Sequence, residues 1–490
     1  MTFQIVLLVL FFALVTGIGI WGLRRTKTLG DFFLGGRTLG PWVSALAYGT
    51  SYFSAVMVIG FAGTQGWQFG LNALWIAAGN AFIGSMAAWL VLARRTRRMT
   101  QNLDAMTMPE YLQQRYGAKH LKPIAACIIF IFLLPYSASI FKGLGHLFET
   151  VFHISYDLAL LLMIAFTGVY LILGGYFAVV VIDFIQGLFM IAGAVAMFIV
   201  IVGEGGGFAH LVGTIQTNYP VNVASPPTVL TIVSLVFMTS FGTWGLPQMT
   251  QKFYAIKNEA VIPRAVVACT VFAAIVGFCA YFVGTASHAF FTSGTIPRLP
   301  NGNINFDLIV PTLLTEHLPE VLIALILIFV LSASMSTLSS LVLISASSVA
   351  IDLYPVKIDA SASKDRSTAM IRFLSFLFIV ISYFVSRFQI TIIVTLMSLS
   401  WGAVSGAFAA PYILSLYSKR VTKMGAYCGL LGGLVTEALL FYLVKLPGPL
   451  AASIAIIAPF LIVPVVSAFT KAPDTAIVEK AFAGIAKDAR

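Results

Sequence analysis

Thirteen apolar stretches follow one another between residues 2 and 470, at 2–23, 41–66, 70–93, 123–149, 155–174, 176–203, 228–251, 262–292, 319–351, 367–386, 388–417, 424–444 and 448–470. About 20 mainly apolar residues cross the ~30 Å hydrocarbon core of a bilayer as a helix. In lipid, every backbone N–H and C=O must find its partner inside the protein, which leaves such segments the helix as their fold. The expected class is therefore all-α: a polytopic membrane protein of about 13 transmembrane helices, with no room for a separate soluble domain. Composition agrees, with 10% charged residues and a mean hydropathy of +0.96, where soluble domains carry about 25% charge.

Charge placement sets the expected orientation. Lys and Arg crowd into alternate loops: Arg24, Arg25, Lys27 and Arg37; then Arg94, Arg95, Arg97, Arg98, Arg115, Lys119 and Lys122; then Lys252, Lys257 and Arg264. Lys357, Lys364, Arg366 and Arg372 follow, then Lys419, Arg420 and Lys423, and finally the tail from 471. The opposite loops hold Arg298, Arg387 and Lys445. Basic loops stay cytoplasmic, so a multi-pass plasma-membrane protein with its N-terminus outside and C-terminus inside is expected. The net charge of +11 then faces anionic lipid headgroups; the bilayer is the partner, not nucleic acid. The first stretch lacks a basic leader region and a clear cleavage site, and reads as a retained helix. Four cysteines at unrelated spacings and six scattered histidines offer no disulfide framework, metal-ligand pattern or enzyme centre. No obligatory protein partner is evident.

Two stretches look interrupted. Residues 41–66 carry Gly49-Thr50-Ser51 and then Gly60 and Gly63, and residues 228–251 carry Ser240-Phe241-Gly242-Thr243-Trp244-Gly245-Leu246-Pro247. Glycine and proline are frequent in membrane helices, so each cluster alone is equally a kink. Setting 2–23 aside, however, they are the first and sixth of twelve. A five-helix repeat followed by its inverted copy puts its unwound helices there, lining a cavity at mid-membrane. The expected division is 2–23 as an extra helix, 41–203 as first repeat, 228–417 as inverted second repeat, 424–470 as two further helices and 471–490 as a cytoplasmic tail. A short surface helix is expected within 104–116, and another within 305–316.

Polar residues inside the stretches are the candidates for function. Ala333, Ser336, Thr337 and Ser340 fall at i, i+3, i+4 and i+7, one stripe of a helix. Such a stripe suits close helix packing, with hydroxyls bonded back to i−4 carbonyls, or a dehydrated hard cation, which prefers oxygen ligands. Asp183 lies within 176–203 with Gln186 one turn on; it neutralises a cation, pairs with Lys142 or caps a buried polar network. Lys142 meets an anionic solute or an internal carboxylate, or snorkels to an interface. Glu437 reads as structural or interfacial.

At this point the chain resembles the sodium:solute symporter family. The motifs are DFFLGGRTLGP at 31–41, YLILGGYFAVVVIDFIQG at 170–187, GLPQMTQKF at 245–253, ASMSTLSSLVLISASSVAIDLY at 333–354 and SWGAVSGAFAAPYILSLYSKRVTKMGAYCGLLGG at 400–433. The resemblance implies a LeuT-like 5+5 inverted repeat with broken first and sixth repeat helices, importing a small organic solute with Na+ by alternating access. It implies a first sodium site from the carbonyls of Thr50, Phe53 and Ala333 and the hydroxyls of Ser336 and Thr337. Some members have a second site, whose pattern matches Asp183, Ser336, Ser339 and Ser340, so one or two sodium ions are expected. Proline-carrying relatives have an aspartate where this chain has Tyr52, and the longer polar run of sugar carriers is missing; an amino acid such as proline or a small carboxylate is the expected solute. Candidate solute contacts are Ser51, Tyr52, Ser54 and Gln65, with Tyr136 and Ser139 and, from the second interruption, Phe241 and Trp244. The alternatives are a proton-coupled carrier of this fold titrating Asp183, and a membrane sensor without transport.

Overall fold

A computed structural model describes residues 2–25, 37–173, 176–223, 226–353, 363–388 and 391–485. Motif residues 31–36, Gly174, Gly175 and Tyr354 lie outside the described residues, as do Lys27, Lys357, Lys487 and Arg490. Helices dominate, and among the described residues extended pairing is confined to two isolated bridges, Leu39 with Ile256 and Arg298 with Ile304.

The expected stretches appear as helices within a few residues of their limits, for example Leu121–Phe152, Ile262–Phe290 and Gly448–Phe469. The exact count of thirteen is not confirmed among the described residues. Ten described helices are long and apolar enough to cross a bilayer, and a pair bent by 48° makes an eleventh. One reason is that the second half of stretch 41–66 turns a corner at Gly70 (φ +54°) and runs on, so that Val56–Asn102 is a single 47-residue helical path. The short surface helices are present too. Met108–Tyr116 opens on a Thr107 side chain that accepts the Glu110 N–H, while the Glu110 carboxylate accepts the Met106 N–H at 2.8 Å, the reciprocal exchange that satisfies free helix-start donors. Ile309–His317 is the second.

Both expected interruptions are present, but the first is not where the glycines are. Helix Pro41–Tyr52 stops at Phe53, whose backbone is extended (φ −103°, ψ 126°). The chain resumes as a wide turn at Val56–Phe61 and continues as Ala62–Phe69. The freed N–H groups are met by side chains: Ser334 Oγ accepts from Ala55 at 3.2 Å and Ser54 Oγ from Val56 at 3.2 Å. Gly49 instead abuts the Phe272 ring and Gly60 abuts Ile393; these glycines admit neighbouring helices rather than unwind their own. The second interruption follows its sequence closely. Val229–Ser240 tightens through Phe241–Gly245, is extended at Leu246, and restarts as Pro247–Tyr254 with proline in the first turn, where its missing N–H costs nothing.

Ala62–Phe69 crosses Ile262–Phe290 almost backbone to backbone. A methyl on Gly284 would fall on the Ala62 carbonyl, and one on Gly66 on the Gly284 backbone. Gly284→Ala is therefore expected to cost on the order of 3 kcal/mol through forced overpacking, read as a lowered thermal midpoint of the purified protein. Gly277→Ala, in the same helix, where an added methyl meets Ala77 at an ordinary contact of 3.5 Å, serves as the comparison.

Two buried ion pairs tie distant helices. Lys142 donates to Asp307 Oδ2 at 2.7 Å and to the Thr391 carbonyl at 2.8 Å, so it meets an internal carboxylate but not Asp183. Asp183 is paired with Lys252, at 3.0 Å. Neither partner was anticipated.

Candidate functional site

The first interrupted helix and the hydroxyl-bearing helix Glu320–Ser347 meet at the break. Ser336 Oγ lies 2.9 Å from the Thr50 carbonyl oxygen and 3.1 Å from that of Ala333. Thr337 Oγ1 lies 3.0 Å from Ala333 O, 3.3 Å from Thr50 O and 3.4 Å from Ser51 O. Two hydroxyls carry two protons between them, yet they make five oxygen–oxygen approaches. Each hydroxyl shares its one proton among neighbouring carbonyls, so lone pairs of both hydroxyls and of the carbonyls remain at the corner, the oxygen donors that hard cations select. Extension at Phe53 takes its carbonyl out of the helical ladder at the same corner. Thr50, Ala333, Ser336 and Thr337 are thus brought together, with Phe53 at the break beside them, and the four are fully buried.

The residues of the expected second sodium site are less joined. Ser339 Oγ donates to the Ser336 carbonyl at 2.9 Å, and Ser340 Oγ shares a hydrogen bond of 3.1 Å with Ser51 Oγ. Asp183 sits on Tyr176–Glu204, which packs along Glu320–Ser347. Its Oδ2 accepts from Lys252, while Oδ1 and both amide atoms of Gln186 are buried without a hydrogen-bond partner among the described residues. The cation beside Asp183 in this structure is the Lys252 ammonium, delivered by the far half of the second interrupted helix.

Between the two interruptions lies a narrow cavity of about 20 Å³, room for little more than one water. Of the candidate solute contacts, Tyr52, Ser54 and Tyr136 line it. Ser51 turns to Ser340, and Ser139 bonds the Tyr136 carbonyl of its own helix at 2.7 Å. Gln65 is buried outside the cavity lining. Phe241 stacks on Phe237, and Trp244 donates to the Ile83 carbonyl at 3.1 Å; neither lines the cavity, so the expected apolar lid from these two rings is not formed.

Other residues take their place. Trp401 packs edge-on against Tyr136 at 5.7 Å and, with Met397, brings helix Ile393–Tyr417 into the wall. Asn80 and Tyr281 supply polar surface. Asn80 holds the interruptions in register: its Oδ1 is 3.1 Å from Tyr52 Oη and 3.2 Å from Ser240 Oγ, while Tyr52 Oη also lies 2.5 Å from the Thr239 carbonyl. A signal for Asn80 was present, since it is the only amide between residues 74 and 93, and an isolated amide in a membrane helix bonds across helices. Trp401 carried none, because tryptophan is equally at home in packing.

Comparison with known proteins bears on the whole chain. The model of the sodium:solute symporter family matches residues 32–433. The osmoregulated proline transporter OpuE of Bacillus subtilis is 31% identical over 447 residues, covering 88% of this chain and 87% of that protein. Sodium/proline symporter 2 of Staphylococcus saprophyticus is 30% identical, covering 87% and 84%. Among solved structures, a Na+-coupled sialic acid symporter in a substrate-bound outward-open state superposes with a TM-score of 0.80 at 16% identity, over 96% of this chain and 98% of that one. Mhp1, a nucleobase-cation-symport-1 family transporter in a closed conformation, gives 0.54 at 13% identity over 92% and 97%. The structural likenesses establish the LeuT-type transporter fold; the family match and the extent of sequence identity establish the kinship. This chain belongs to the sodium:solute symporter family.

Proposed function

We propose that this protein imports a small zwitterionic solute, proline foremost, together with sodium by alternating access. The observation that carries the reading is the buried oxygen corner, where the Thr50 carbonyl of the first interrupted helix meets the Ser336 and Thr337 hydroxyls. A sodium ion held there ties the interrupted helix to Glu320–Ser347. Because those oxygens come from two elements that part when the cavity opens, the ion binds the two conformations unequally, which is the requirement for coupling. One sodium crossing a potential of 100 mV contributes about 2.3 kcal/mol before any concentration gradient.

The cavity supports the solute class. No Asp, Glu, Lys, Arg or His is among its lining residues, so a solute of zero net charge enters at lower desolvation cost than a carboxylate anion. The names of the relatives, OpuE and the sodium/proline symporters, point the same way. In this reading Thr50, Phe53, Ala333, Ser336 and Thr337 bind sodium, and Tyr52, Ser54, Asn80, Tyr136 and Trp401 meet the solute. Asp183, Ser336, Ser339 and Ser340 hold a second sodium only once Lys252 has left Asp183. The repeats 41–203 and 228–417 rock about this centre, with the basic loops on the cytoplasmic side.

Uptake of labelled proline into proteoliposomes tests this, with inward gradients of sodium, potassium or protons and competition by neutral amino acids and small carboxylates. Sodium-driven uptake inhibited by neutral amino acids is expected; uptake driven by protons without sodium, or by no ion gradient, defeats the coupling assignment. Asn80→Leu removes the amide that holds both interruptions. It is expected to raise the KM for the solute about tenfold, the equivalent of one lost hydrogen bond of ~1.4 kcal/mol, with sodium affinity little changed.

A further inference from the structure

Glu437 is an acid the transport cycle leaves unused. It lies on helix Lys423–Ala438 at 1% exposure, and both carboxyl oxygens lack a hydrogen-bond partner among the described residues. The carboxyl rests on Gly402, where any side chain would overlap it. The elements packed against this helix are Ile393–Tyr417, Gly448–Phe469 and its own continuation Leu439–Leu443. Neither of the first two contains Asp, Glu, Lys, Arg or His. Their titratable groups are Tyr412 and Tyr417, ten and fifteen residues past Gly402, about 15 Å or more along the axis. On its own helix Lys423, Tyr427 and Cys428 precede it by at least nine residues, and Tyr442 is exposed in the continuation.

Among the described residues, therefore, no cation on the packed helices faces Glu437, and no donor meets it. A carboxylate in such a place is the costly form, whereas the neutral acid fits. Just beyond it the helix widens at Leu439–Leu443, a departure that recurs at functional sites. Gly402 adjoins Trp401, which walls the central cavity. We propose that Glu437 is a proton-binding site: its neutral carboxyl seats helix Lys423–Ala438 on Gly402, and loss of the proton unseats it from the helix that carries Trp401.

The sign follows directly. The seating is complete in acid and lost as pH rises; glutamine, which has no proton to lose, keeps it throughout. The test is labelling of the full chain in proteoliposomes with dicyclohexylcarbodiimide, which requires a protonated carboxyl in an apolar setting, read by peptide mass between about pH 5 and about pH 9. An adduct on Glu437 at the acid end, lost at the alkaline end, is expected. In parallel, the thermal midpoint of the wild type should fall by several degrees over that range relative to Glu437→Gln. Absence of the adduct at acid pH overturns the proposal, as does a pH profile of stability shared by both proteins. Should Glu437→Gln fail to fold, labelling of the wild type alone decides. Neither readout involves sodium or proline, so the result is independent of the transport assignment.

Discussion

Replacing Ser336 by alanine is expected to raise the sodium concentration for half-maximal uptake about tenfold, and replacing Thr337 to do the same. Each change removes one oxygen from the corner formed with Thr50 and Ala333. A hydrogen bond or ligand oxygen directed at a full charge contributes roughly 1.5–3 kcal/mol, and about 1.4 kcal/mol is a factor of ten. The double variant should therefore lose sodium dependence across the practical range. The two residues share a ligand set, so their effects are not expected to add simply. Stability is a useful control. In the absence of sodium the alanine variants should melt somewhat lower than the wild type, since each loses a buried hydrogen bond to the Thr50 or Ala333 carbonyl; with saturating sodium the wild type alone should gain. A sodium-induced stabilisation of equal size in wild type and double variant would place the ion elsewhere.

Lys252→Met is expected to destabilise the protein by about 3–5 kcal/mol, because it leaves Asp183 charged and buried without its partner. Both side chains are almost fully buried, at 2% and 0% exposure. Adding Asp183→Asn should restore most of the loss, since an uncharged amide and a thioether leave no buried charge. The informative measurement is the single Lys252→Met variant titrated with sodium. In the proposed reading, loss of the ammonium leaves the buried Asp183 carboxylate to a second cation. Its melting temperature should then rise more steeply with sodium than that of the wild type. Identical sodium dependence in the two proteins would mean that Asp183 belongs to a purely structural pair.

The stripe Ala333, Ser336, Thr337 was legible because helical periodicity alone aligns i, i+3 and i+4; what it faces was not, because that depends on a helix nearly 290 residues earlier. Asp183 shows the same limit more sharply. Its burial in an apolar stretch marked it for attention, but its partner Lys252, 69 residues away, sits in a motif that reads as the end of a helix beside a basic loop. Lys142 likewise finds Asp307 across 165 residues. The glycines of the first interruption misled in a different manner. Glycine permits both an unwound backbone and a close helix crossing, and only the presence of Phe272 against Gly49 separates the two.

Hydropathy and helical period were sufficient for the class of protein, for most helix positions to within a few residues and for the stripe of oxygens. These are properties of short segments in a bilayer, where the backbone has almost no freedom once it leaves water. The tertiary structure alone decided that the first break falls at Phe53, that Lys252 neutralises Asp183 and that Asn80 and Trp401 wall the cavity. Each of these depends on which helix faces which, and side-chain contacts between segments far apart in the chain leave no periodic trace along it.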